Sequence, residues 1–112
     1  MMRLWLLLGL ALAMTGCVVY EPMVVQPTAE QRFDRSWSAA GGALADEGVT
    51  ITAQDRSAGI IRGARGSIGI TASVRTLADG RTEVRFDQTG DASGDPNLVH
   101  RVSDSSDRRM GR

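Results

Sequence analysis

Cys17 is the single cysteine of a 112-residue chain, so its thiol has no partner for an internal disulfide. A lone thiol serves as a nucleophile or as the sulfur of a thioether. His100 is likewise the only histidine. A general base needs an orienting group and a nucleophile within hydrogen-bond reach. Asp104, one helical turn on, supplies the first; the spacing places neither Ser67 nor Ser73 beside the imidazole. A zinc site takes three or four ligands, and one histidine does not build one. Asp87, Asp91, Asp95 and Asn97 offer oxygen atoms suited to Ca²⁺, but without the alternate-residue spacing of an EF-hand loop or its closing glutamate. Gly63, Gly66 and Gly69 recur at every third residue. A phosphate-binding loop opens a helix, whereas extended segments flank these glycines, so they read as a tight turn or bulge. The remaining chemistry is cationic. Arg62, Arg65, Arg75, Arg81 and Arg85 carry planar guanidinium forks that match carboxylate or phosphate. These five are the candidate surface for an anion or a partner, and Glu83 and Asp87 among them predict cross-strand ion pairs. No catalytic residue, metal or diffusible cofactor is expected.

Composition narrows the classes further. Thirteen basic residues, all arginine, balance thirteen acidic ones for a formal net charge of zero. Such a chain exerts no global pull on nucleic acid. With 4% aromatic residues it also lacks stacking platforms for single strands.

An apolar run from Leu4 to Met14 follows Arg3. It matches a signal-peptide core and falls short of the roughly 20 residues that span a bilayer. The run closes on Met14-Thr15-Gly16-Cys17, which resembles the lipobox of bacterial lipoproteins, with Met14 in place of the usual leucine. The resemblance implies cleavage before Cys17, a diacylglycerol thioether on its sulfur, an N-acyl chain and attachment to a membrane. Ala11-Leu12-Ala13 offers an ordinary signal peptidase the alternative cut. Val18, where aspartate would favour inner-membrane retention, implies the outer membrane and a periplasm-facing domain. The chain therefore divides into a signal peptide (1–16), a lipidated cysteine with its tether (17–27) and one small domain (28–112). The tether carries two prolines and, at about 3.3 Å per extended residue, reaches roughly 30 Å; its valines could instead add an edge strand.

Thr28-Ala-Glu-Gln31 has capping-box form. Phe33, Trp37, Ala40 and Leu44 then recur at helical spacing, and Gly48 ends the helix. Gly41 and Gly42 inside it point to close approach of helix to sheet. Beyond Gly48 the period becomes two. Val49, Ile51 and Ala53 form one face of a strand, Ile60–Gly63 a second strand, Ile68, Ile70, Ala72 and Val74 a face of the third, and Val84 and Phe86 a face of the fourth. Ala78-Asp79-Gly80 signals a hairpin. Asp95-Pro96 reads as a cap and first helical residue, followed by a stripe of Leu98, Val99, Val102, Ser106 and Met110. The expected fold is α+β: a four-stranded antiparallel meander with an N-terminal and a C-terminal helix on one face. Its core is Phe33, Trp37, Leu44, Val49, Ile51, Ile60, Ile68, Ile70, Val74, Val84, Phe86, Leu98 and Val102.

The lipobox, the proline-bearing tether, Leu44-Ala-Asp-Glu-Gly48-Val-Thr-Ile, Asp55-Arg-Ser-Ala-Gly59-Ile-Ile-Arg-Gly63 and the Asp79-Gly80 hairpin together resemble small proteobacterial lipoproteins of unknown function. The layout is also similar to the helix-grip domains of the outer-membrane assembly lipoprotein BamC. The resemblance implies an envelope accessory role and carries no catalytic residues over; the function expected is a non-enzymatic interaction module with an envelope protein as partner. The arginine set keeps a second reading open: a binder of an anionic envelope component such as peptidoglycan carboxylates or lipid phosphates.

Overall fold

The computed structural model describes residues 26–112. The lipobox Met14–Gly16, Cys17 and the tether up to residue 25 lie outside the described residues. The elements run α1 (Ala29–Asp46), β1 (Thr50–Asp55), β2 (Ile60–Arg65), β3 (Ile68–Thr76), β4 (Thr82–Gly90) and α2 (Leu98–Arg109). All four strands are antiparallel neighbours in the order β1-β2-β3-β4. Helix α1 packs on β1, β3 and β4, and α2 on β4 and α1, so both helices cover one face. The expected α+β meander is the fold.

Helix α1 starts where the capping box places it. Thr28 Oγ1 accepts from the Gln31 amide at 3.1 Å, and the Thr28 amide donates to Gln31 Oε1 at 2.8 Å. Its buried stripe is Ser36, Ala39, Ala40, Ala43 and Leu44. These small side chains let the helix lie close to the sheet. Phe33 and Trp37 are therefore displaced to the rim, half-buried rather than central, with rings stacked at 5.8 Å. The guanidinium of Arg56 lies 5.3 Å from the Phe33 ring centroid.

The helix glycines work differently from expectation. Gly41 is in ordinary contact with the sheet, where an added Cβ would lie 4.0 Å from Ile61 Cδ1. The tight approach is at Gly42 and belongs to α2: a Cβ there would stand 2.6 Å from Arg109 Cζ.

Two strands depart from the expected faces. Ile61 is the core residue of β2, 1% exposed, while Ile60 is only half-buried and faces outward with Arg62. In β1 a bulge between Ile51 and Ala53 shifts the register, so Ile51 opposes Gly63 but Ala53 opposes Arg62. Ala53 is consequently exposed. Strand β3 alternates as expected, with Ile68, Ile70, Ala72 and Val74 buried. Val84 and Phe86 of β4 pack against this core while staying half-buried. The triple-glycine segment is a two-residue hairpin: Arg65 opposes Ile68, and Gly66 takes φ +61° as the first turn residue.

Helix α2 begins at Leu98 behind Asn97, which makes no side-chain cap bond. Asp95 is not the cap, because its carboxylate is taken by two arginines. Leu98 and Val102 enter the core, and Ser105 and Ser106 are buried against α1.

Candidate functional site

The sheet face opposite the helices carries most of the arginines singled out from the sequence. Strand register sets its rows: Ala53, Arg62, Thr71 and Asp87 lie side by side, as do Asp55, Ile60, Ser73 and Arg85. Arg75 stands opposite Glu83 and donates to it through Nε and Nη2 at 2.8 and 2.7 Å. Arg85 lies 3.4 Å from Asp87 on the same strand. Arg62 is exposed and makes no ion pair among the described residues. The face is thus a mosaic of both charges around one free guanidinium, and no described element covers it.

Arg65 and Arg81 are elsewhere. Arg65 opposes Ile68 and so turns to the helix side, where it reaches Asp95 at 2.9 Å. Arg81 sits at the β3–β4 hairpin, its Nε 2.5 Å from Asp79. Arg101 of α2 completes the helix-side network, donating to both oxygens of Asp95 at 2.9 and 2.5 Å and to Glu47 at 3.1 Å. The Arg101 hydrogen bonds hold Asp95 below the usual carboxylate range, and Asp95 and Glu47 in turn raise Arg101. This network ties α2 to the end of α1 and to the β2–β3 hairpin.

A second clamp joins the helices. Arg109 donates two bonds of 2.7 Å to Asp46, and Ser105 Oγ donates a third of 2.7 Å. The Arg109 bonds, then Ser105, lower the Asp46 carboxyl from 3.8 to about 2. A carboxyl depressed on folding adds stability above its unfolded value and loses it as pH falls through the folded value. Acid titration should therefore erode stability between about pH 4 and pH 2. Urea midpoints measured across that window check this: Asp46→Asn should flatten the acid limb, and an unchanged limb would show the clamp contributes nothing.

A cleft of about 520 Å³ opens between α1, the β3–β4 hairpin and the end of α2. Arg32, Ser36, Thr82, Leu77, Val84 and Met110 line it, with Arg81, Glu83 and Arg112 at the same site. Arg32 and Ser36 lie one turn apart on α1, and Thr82 is an inward position of β4. Arg32 Nε, Ser36 Oγ and Thr82 Oγ1 are buried and have no hydrogen-bond partner. An unmet buried polar group costs about 1–3 kcal/mol, and three on the lining residues of one cleft are unusual in a small domain. Sequence reasoning did not find this cleft. The available signal was Ser36, a hydroxyl inside the α1 stripe next to Trp37 and Ala40.

The remaining candidates do not converge. His100 and Asp104 are both exposed on α2 and share no hydrogen bond. Ser67 donates to the Asp91 carbonyl at 2.8 Å, and Ser73 lies on the outer sheet face. Asp91 accepts from the Ser93 amide, Asp95 serves the arginines, and Asp87 is on the sheet. Among the described residues no group of three or more His, Cys, Asp or Glu could hold a metal ion, and no helix is long and apolar enough to cross a membrane.

The fold and these surfaces define a one-sided, open-faced α+β domain. No protein family, curated protein or solved structure matches the chain.

Proposed function

We propose that this protein is a non-enzymatic interaction module of the bacterial envelope, lipid-anchored at Cys17 to the outer membrane and facing the periplasm. The observation that carries the reading is the uncovered face of the sheet, in a chain whose N-terminal apolar run closes on Met14-Thr15-Gly16-Cys17. The helices pack on the apolar side of the sheet, and no described element packs on the polar side, which leaves it open to a partner. The mixed charges there suit a protein surface of complementary pattern, which gives specificity and register more than raw affinity.

Photo-crosslinking in the envelope tests this. A crosslinker at Thr71, in the middle of the face, should give one dominant protein adduct, and Arg62→Glu should reduce it at least severalfold. A crosslinker at Asp104, on the exposed side of α2, should give none. Equal adducts from both positions, or none from Thr71, would discard the sheet face as the working surface.

The free Arg62 guanidinium favours a second reading, the binding of an anionic envelope component. Glycan or lipid fragments on the Thr71 crosslinker, with salt-sensitive capture lost on charge reversal at Arg62, Arg75 and Arg85, would select it over the protein partner.

A further inference from the structure

The geometry points to a second binding site, in the cleft between α1, the β3–β4 hairpin and α2, that takes a carboxylate carried on a short apolar body. Arg32, Ser36 and Thr82 all line it, each carries a buried polar atom without a partner (Arg32 Nε, Ser36 Oγ, Thr82 Oγ1), and Ser36 is only 1% exposed. A guanidinium N–H and two hydroxyls are three donors, matched by the lone pairs of one carboxylate. Leu77, Val84 and Met110 supply the apolar wall. Apolar lining with a few convergent polar groups is the usual make-up of a small-molecule site, and about 520 Å³ lies within its ordinary size range.

Charge selects a monoanion. Arg81, Glu83 and Arg112 at the cleft are paired with Asp79, Arg75 and Asp107. Arg32 makes no ion pair among the described residues, leaving one uncompensated cation. A phosphate dianion would bring more charge than the cleft balances. The site meets the open sheet face at Glu83, lies otherwise on the helix side of the sheet, and does not depend on how the protein is anchored.

The test is an NMR titration of ¹⁵N-labelled full chain in detergent, following the Arg32 Nε–H and the amides of Ser36 and Thr82. Hexanoate should shift all three saturably. Neutral hexanamide and inorganic phosphate should not. Arg32→Gln should weaken hexanoate binding at least tenfold, and Arg32→Lys should not rescue it, because lysine keeps the charge and loses the planar fork. Ser36→Ala keeps the size of the side chain and separates ligand from scaffold. It should leave the Tm of the free protein unchanged or raised, since it removes an unmet hydroxyl, yet weaken hexanoate binding severalfold. No saturable shift with hexanoate, shifts that persist in Arg32→Gln, equal response to phosphate, or a lowered Tm in Ser36→Ala would each overturn the assignment.

Discussion

Leu44→Ala should destabilise the domain by about 2–5 kcal/mol, the range for emptying a fully buried leucine site. Leu44 is 0% exposed and joins Ile61, Ile70, Leu98 and Val102 in one core cluster. It therefore belongs to a core built from both layers of the fold. Its carbonyl also accepts from the Val49 amide at 2.9 Å, at the turn where helix gives way to strand. Small domains hold a net stability of about 5–15 kcal/mol, so the loss is a large fraction of the whole. Little relaxation is available, because the neighbours on α1 are alanines already packed against the sheet. Urea unfolding by circular dichroism checks it. The midpoint should fall sharply with the slope unchanged, while Leu44→Met should lose less than about 1.5 kcal/mol and the exposed Ala53→Ser less than about 0.5. A cost for Leu44→Ala below about 1 kcal/mol would mean that the two helices do not share one core.

That core was largely legible in the sequence because strand period and hairpin chemistry are local. Ile68 to Val74 alternate without interruption, and Asp79-Gly80 turns the chain where the pattern breaks. What escaped was non-local. The face of β2 could not be set from Ile60-Ile61, since either isoleucine can point inward until register with β3 decides. The bulge after Ile51 lies beside Gly63 across the ladder, where an added Cβ would stand 2.6 Å from Val49 Cγ1, and neither is visible in the local pattern of β1. Asp95 has the composition of a helix cap, but Arg65 and Arg101, brought in by the fold, bind its carboxylate instead.

The two candidate surfaces divide in the same way. Arg75 and Arg85 share the outer face because side chains alternate along paired strands, which the sequence pattern already encodes, whereas Arg62 joins them only once register with β3 turns Ile61 inward. Arg65 escapes that face because it occupies a turn-flanking position of inward parity. The cleft has a single residue, Ser36, as its linear signature. Arg32 and Ser36 share a cleft with Thr82 because small residues on α1 let the helix settle onto the sheet beside the hairpin. A polar residue inside a stripe of small apolar ones is the trace such a site leaves in a sequence.

Cys17→Ala should abolish membrane anchoring as a covalent event: incorporation of fatty-acid label falls to background and the uncleaved precursor accumulates. The lipobox reading makes the sulfur the acceptor of the diacylglycerol and the freed amine the acceptor of a third acyl chain, so one atom controls both attachments. The energetic consequence is large. Each buried methylene contributes about 0.8 kcal/mol, and one acyl chain alone gives only marginal, reversible binding, whereas multiple chains hold a protein stably. Losing the thiol therefore removes the whole anchor rather than weakening it. Intact mass of the purified wild-type protein should show a chain beginning at Cys17 with three acyl groups. Val18→Asp should keep label and mass while moving the protein from the outer-membrane to the inner-membrane fraction of a sucrose gradient, because sorting reads the residue after the lipidated cysteine. A wild-type chain that begins at Met14, carries no label and exposes a titratable thiol would mean that the Ala11-Leu12-Ala13 site is the one used. The anchor reading would then fall, and the open sheet face would belong to a diffusible protein.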